Sequence, residues 1–363
     1  MSLSTRIAAA ALACSGLVGT PCARADRPDH PDSALTAFLS VEHLQRDAAP
    51  TSDLERSTTV ATVDVILGVR HDRLRALAEL VLASDEHELE RLQLGYQATE
   101  DLVLWVGRFH QPASVWNALH HHGAYLQTSI SRPWIEEWED EHGVMPQHVT
   151  GALGEWQHSL ASGTGLRLSL GFGSAPTLRD DGLDPYDHFG GRRIASSAHG
   201  AVRLEWLPDA AGEDSVGLVA SHGELVVQRA DALFGAGIEH GVYGLFFNAT
   251  RARAHVIGTF YGIELHGPGT ATLGRQHHLA SYLQFEFAAS ERLTLYARHE
   301  QITGLRQSAY LREFPRTMPR RILAGARLEL GRRNAVSVEV ARRATLSAGS
   351  FGELRLQWSA AIP

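Results

Sequence analysis

Cysteine is almost missing from this chain: Cys14 and Cys22 are the only two in 363 residues. Both lie in an N-terminal stretch laid out like an export signal. Arg6 supplies the positive start, Ile7 to Val18 the apolar run, and Ala23-Arg24-Ala25 a small-x-small cleavage site. Removal of residues 1–25 would leave a chain beginning at Asp26 without a thiol, which excludes disulfide and thiol chemistry. Acylation at Cys22 is disfavoured, because Gly19-Thr20-Pro21 lacks the pattern of Leu and small residues that precedes a lipidated cysteine. Lysine is absent altogether, so all 33 basic residues are Arg, a bias that fits a GC-rich genome better than a function. Long hydrophobic runs are missing too: beyond the signal nothing approaches the roughly 20 apolar residues of a membrane helix. Any membrane passage would have to use strands. An excess of positive charge is also lacking. Without Arg6 and Arg24 the chain holds 31 basic against 41 acidic residues, a net −10 that argues against nucleic acid as a partner. No Pro/Ser-rich linker or low-complexity run divides residues 26–363, which read as one domain.

What the sequence does have is alternation with period two, which places one set of side chains on each face of a strand. Between Gly165 and Gly173, Leu166, Leu168, Leu170 and Phe172 share one face, and Arg167, Ser169 and Gly171 the other. Val202, Leu204 and Trp206 oppose Arg203 and Glu205; Leu283, Phe285 and Phe287 oppose Tyr282, Gln284 and Glu286. Near the end, Leu328 and Leu330 oppose Arg327 and Glu329, Val336, Val338 and Val340 oppose Ser337 and Glu339, and Leu354, Leu356 and Trp358 oppose Glu353, Arg355 and Gln357. A soluble sandwich can alternate in the same way, so the connections have to separate the two folds.

The pattern predicts sixteen strands, beginning near Leu35, Thr58, Leu74, Glu88, Leu102, Val149, Gly165, Ser197, Ser215, Ile238, Ala254, Leu279, Leu293, Arg321, Ala335 and Ser350. Links after even strands are short, as at His71-Asp72-Arg73, Thr99-Glu100-Asp101 and Gly163-Thr164. Links after odd strands are mostly long: Gln111 to His148, Ala175 to Ile194, His266 to Arg275 and Gly304 to Arg320. This parity is that of a transmembrane antiparallel up-and-down β-barrel of the bacterial outer membrane, with short turns on one rim and long loops on the other. The polar faces agree. Arg91, Arg167, Arg203, Arg298, Arg327, Arg343 and Arg355 stand against Asp64, Glu205, Glu286, Glu300, Glu329, Glu339 and Glu353, a charged interior that suits water better than a soluble core.

The link after the fifth strand, residues 110–148, is the feature that an ordinary compact domain would not carry. Ser114 to His121 admits a short helix with Ser114 as a possible cap, and Trp134 and Trp138, four apart, would share a helical face. Val106-Gly-Arg-Phe-His-Gln-Pro112, with Trp116-Asn117, His121-His-Gly-Ala-Tyr-Leu-Gln-Thr128 and Arg132-Pro133, resembles the broad group of outer-membrane porins that includes the phosphate-selective O and P type. The resemblance covers about fifty residues. It implies a barrel for passive diffusion of small solutes, with this run closing a strand and opening a pore-constricting loop. A phosphate site does not carry over, since those pores are rich in Lys or Arg and this wall is evenly mixed.

Within the loop, Glu136, Glu137, Glu139, Asp140 and Glu141 form an acidic run that would favour cations if it narrowed the pore, together with wall residues Arg91, Arg167, Arg203 and Glu205. The same acids could instead be solvated on the outside. His120, His121, His122, His142 and His148, joined by His110, offer imidazole donors suited to a divalent metal such as Zn, Cu or Ni, though with no fixed ligand spacing; no other cofactor is indicated. Lipid, lipopolysaccharide, the barrel-assembly machinery and small solutes are the expected partners, and the chain would act as a monomer or homotrimer. Competing readings are a non-conducting structural or adhesive barrel, a metal-binding uptake barrel and, last, a hydrolase. Ser197-Ala-His199 and Ser221-His222 supply the residue types for hydrolysis, but strand neighbours point to opposite faces and no third partner is fixed.

Overall fold

In the computed structural model the described residues are 32–47, 55–84, 87–120, 123–137, 145–174, 177–179, 182–184, 197–227, 237–267, 274–305, 308–312, 317–346 and 349–363. The strands are β1 (Asp32–Arg46), β2 (Ser57–His71), β3 (Leu74–Ala83), β4 (His87–Gln97), β5 (Leu102–His110), β6 (His148–Ser159), β7 (Gly165–Ser174), β8 (Thr177–Arg179) and β9 (Gly182–Asp184). They continue with β10 (Ala198–Leu207), β11 (Ser215–Val227), β12 (Gly237–Arg251), β13 (Ala254–His266), β14 (Arg275–Ala288), β15 (Leu293–Ile302), β16 (Arg320–Glu329), β17 (Asn334–Thr345) and β18 (Gly349–Ile362). Two short helices, α1 (Val115–His120) and α2 (Ala309–Arg312), and a 3₁₀ turn (Trp134–Glu137) lie in links.

Sixteen of these strands, all but β8 and β9, pair antiparallel in sequence order, and β1 closes the circle on β18 from Ala37↔Ile362 to Arg46↔Glu353. Closure leaves no unpaired sheet edge, the condition for strands to cross a bilayer. The strand count and starts match the alternation, and the links keep their parity. One departure falls in the link 175–194, where β8 and β9 form a three-residue hairpin whose first strand lies parallel to Val226 and Val227 of β11. Too short to alternate, it left no periodic signal.

The two faces divide as the pattern implies. Leu170, Phe172, Leu204, Trp206, Phe285, Val340, Leu356 and Trp358 are exposed on the outside of the barrel, while Arg203, Glu205, Gln284, Arg298, Glu339 and Glu353 are buried within it. So extensive an apolar exterior would be a liability in water and is what a hydrocarbon environment solvates. The interior is not uniformly charged, however. Between β10 and β13 it also carries an apolar patch, made by Ala201, Val219, Leu225, Ile238, Val242, Phe246, Ile257 and Ile263. Along β13 apolar residues occupy both faces, Val256 and Phe260 outside and Ile257 and Ile263 inside, which hides this patch from any reading based on alternation.

Candidate functional site

The link 111–147 enters the barrel at Gln111, where its amide donates to the carbonyl of Gln147 at 2.8 Å, and leaves at His148, the cross-strand partner of His110. Just before the entry, Gly107 holds φ +132°, and a Cβ there would fall on the Leu92 carbonyl oxygen. Only glycine allows β5 to run this close to β4.

Three sectors of the inner wall receive the link. The first is the apolar patch, against which Ala113, Val115, Trp116, Trp134, Ile135 and Met145 pack. Burying side chains of this size contributes about 1.5–3 kcal/mol each, enough to draw the segment inward. Trp116 meets the ring of Tyr282 edge-on, with centroids 5.8 Å apart. Helix α1 forms where the sequence predicted it, but Ser114 caps it only through its carbonyl, which accepts from Ala118. Its hydroxyl turns instead to Glu136, at 2.6 Å.

Glu136 is the hub of this sector. Its carboxylate also accepts from Tyr261 Oη on β13 at 2.6 Å, and Asn117 donates to its carbonyl at 3.1 Å. Asn117 reaches Gln147 as well, at 2.7 Å, so the outgoing and returning arms of the link are tied together. Complete burial pushes the Glu136 carboxyl up to about 7, against hydrogen bonds from Ser114 and Tyr261 that act in the opposite direction.

The second sector is a polar clamp on β14 to β17. Arg298 donates to Ser129 Oγ at 3.0 Å, to the carbonyls of Ser131 at 2.9 Å and Arg132 at 2.8 Å, and to Glu300 at 2.8 Å. Arg321 pairs with the same Glu300 at 2.7 Å, and Glu300 accepts from the amide of Trp134 at 2.7 Å. Glu339 accepts from the Ile130 amide at 3.1 Å and the Ser131 hydroxyl at 2.6 Å. Lower down, Arg327 donates to the Gln127 carbonyl at 2.6 Å, Thr128 donates to Glu286 at 2.8 Å, and Tyr125 Oη lies 3.2 Å from both Glu329 and the carbonyl of Arg332 in the turn after β16. The link therefore descends from the long-loop rim to the short-turn rim. These carboxylates and guanidiniums take the place of strand partners for a backbone that has none.

The third sector, formed by β1 to β7 with β10, touches the link where Gly123, at φ +68°, lies against Phe38, where Pro112 packs on Gly171, and where Gln111 Oε1 lies 2.9 Å from His199 Nε2. Its charges pair among themselves: Arg91 with Glu79 at 2.6 Å, Arg108 with Glu88, Arg203 with Glu205 at 2.7 Å and Arg167 with Glu205 at 3.3 Å.

The expected site residues are thus dispersed. Arg167, Arg203 and Glu205 do come together, and Arg91 joins a separate pair. Glu136 is a correction: it faces the wall, and burial withdraws it from any aqueous path. Glu137 is half-buried. Glu139, Asp140, Glu141, His142, His121 and His122 lie outside the described residues, as does Trp138. His120 packs on Trp116, ring centroids 4.9 Å apart, whereas His148 sits across the link's entrance beside Glu90 at 2.6 Å. Ser221 points inward and His222 outward, so that pair makes no nucleophile and base. Sequence reasoning missed Tyr261 and Glu90. Tyr261 left no signal, being an aromatic on a strand with apolar residues on both faces.

No protein-family model matches the sequence, and no curated protein matches it. Solved structures do resemble the fold. An in-vitro folded OmpT, an outer membrane protein of Vibrio cholerae, superposes with a TM-score of 0.59 at 10% identity, covering 94% of this chain and 100% of that one. An anion-selective porin from Comamonas acidovorans gives 0.59 at 11% identity over 92% and 100%. The outer membrane channel DcaP of Acinetobacter baumannii gives 0.55 at 9% over 94% and 100%. At such identities the likeness is one of architecture: the chain has the fold of the sixteen-stranded porin-type barrels.

Proposed function

We propose that this chain is an outer-membrane channel for passive diffusion of small hydrophilic solutes or ions, narrowed by its 111–147 link. The observation that carries this reading is an apolar exterior enclosing a wall of ion pairs, with a folded link fastened inside. Water-accessible charge is found in the third sector, where the Arg167 side chain is 28% exposed and Glu88 23%, and at Glu329 near the end of β16, 31% exposed, against 0% for Arg298 and 1% for Arg321. Because each of these wall arginines has a carboxylate beside it, the wall supports no phosphate-selective route. Glu137 and the acids that follow it then set the sign, giving a modest cation preference.

Reconstitution of the refolded chain in planar bilayers tests both parts. Stepwise conductance is expected, rising several-fold when residues 113–145 are replaced by a short Gly/Ser connection. A reversal potential on the cation side in a KCl gradient supports the acidic bias, and an anion bias overturns it. The descent of the link to the turn at Arg332 favours one other reading, a plugged structural barrel. Conductance seen only after the link is removed would select it.

A further inference from the structure

At the link's entrance three inward side chains converge that the pore reading does not use. His110 ends β5 and His148 begins β6, directly across from it. Their Nε2 atoms lie 3.7 and 2.6 Å from one oxygen of Glu90 on β4. One donor atom from each falls within 4.8 Å of the other two, and all three residues are buried.

Glu90 reaches this place by an irregularity. Glu79 pairs with Arg91 but the next residue, Leu80, pairs with Leu89, so Glu90 is an extra residue in β4. The bulge lets the consecutive residues Glu90 and Arg91 both turn inward, against the rule of alternation; bulges are enriched where a strand must re-aim a side chain. The backbones are held as well: Arg108 Nε donates to the Glu90 carbonyl at 3.1 Å, and the Gln111–Gln147 bond fixes the two histidine-bearing ends.

We propose that Glu90, His110 and His148 form a binding site for a divalent transition-metal ion of the Zn²⁺ class, which clasps the two ends of the link. Two imidazoles and a carboxylate are donors of the right softness for Zn²⁺, Cu²⁺ or Ni²⁺. Ligands at about 2.0–2.1 Å around a tetrahedral ion stand about 3.4 Å apart, within the range these atoms already span, so side-chain rotations alone complete the site. The ion would neutralise Glu90 while engaging both imidazoles, which a single His–Glu pair cannot do. A fourth position remains for water or a solute donor. Of the histidines expected from sequence to bind metal, His110 and His148 take part. The proposal rests on the barrel fold and is independent of conduction.

The test uses the full mature chain refolded in detergent, stripped with chelator and titrated with Co²⁺ and then Zn²⁺. Ligand-field absorption with about one Co²⁺ per chain, displaced by Zn²⁺, is expected. His110→Ala, His148→Ala and Glu90→Gln should each weaken binding at least tenfold, while His158→Ala and His266→Ala, both exposed, should leave it unchanged. Heat-modifiable gel mobility identifies folded variants; if the alanine variants do not fold, His148→Cys, which retains a metal donor, should fold and bind with a shifted Co²⁺ spectrum. Binding unaffected by the three substitutions, or no stoichiometric binding in the folded wild type, would overturn the site.

Discussion

The two halves of the barrel interior use the same residue types for different ends. On β14 to β17, Arg298, Arg321, Glu300 and Glu339 spend their hydrogen bonds on the backbone of residues 129–134 and are shut away from solvent. On β3, β4, β7 and β10, Arg91, Arg167 and Arg203 pair across or along strands, and part of their charge stays wet. The first half is a scaffold for the link; the second keeps its charges for one another, and in the proposed channel it would be the surface a passing ion meets. Charge counted along an inner wall therefore says little about selectivity until one knows which charges a folded-in segment has already taken up.

The contrast can be broken most forcefully at Arg298. Arg298→Ala strips the link of its main donor and leaves Glu300 buried with Arg321 alone. Removing one partner of a buried pair costs about 3–5 kcal/mol, so denaturant unfolding in detergent should show a loss of that order, with noisy, enlarged conductance. The matched change on the other half, Arg167→Ala, should cost under about 1 kcal/mol, because that side chain is partly exposed, yet move the reversal potential further toward cations. Equal stability losses at the two sites would erase the distinction. Gly107→Ala should cost more than the about 1–3 kcal/mol of strain at a positive φ, because its Cβ also meets the Leu92 carbonyl oxygen, and the variant should unfold earlier in the same assay while Gly163→Ala, in an open turn, loses less.

A subtler probe is pH. The Glu136 carboxyl is raised by burial from 4.5 to about 7 in the folded chain. The folded state thus holds its proton more tightly, and the stability it confers is complete below pH 4.5 and lost as pH rises to about 7. After correction for intrinsic rates, amides of the link should exchange several-fold faster at pH 8 than at pH 5, and Glu136→Gln should flatten that dependence. Faster exchange at the lower pH, after correction for intrinsic rates, would contradict the assignment. The smallest effect is expected for Glu137→Gln: a shift of the reversal potential by a few millivolts toward zero, with no change in unfolding.

Much of this architecture is legible in the sequence alone. Alternation in stretches such as Gly165–Gly173 located strands to within a few residues, because a wall with lipid outside and polar groups inside writes its period directly into the chain. Parity of link lengths then placed residues 110–148 after the fifth strand. What the link touches could not be read, since Glu136 and Tyr261 are 125 residues apart and Arg298 and Ser131 167 apart, and nothing local encodes such pairs. The bulge at Glu90 was visible in principle. Glu88 and Glu90 hold one parity and Arg91 and Gln93 the other, and that break of phase in the middle of β4 is the trace an extra residue leaves.

The link leaves the sheet at His110 and rejoins it at His148, on neighbouring strands whose backbones are already hydrogen-bonded to each other. Its ends are therefore pinned one strand spacing apart whatever lies between them. For a flexible segment closed in this way, doubling the length adds only about 0.6 kcal/mol of closure entropy. Length changes outside its fastened stretch, residues 113–136, therefore cost little closure entropy and leave every strand register untouched, so the aperture of such a barrel can drift in evolution, or be redrawn by design, as a cassette separate from the wall.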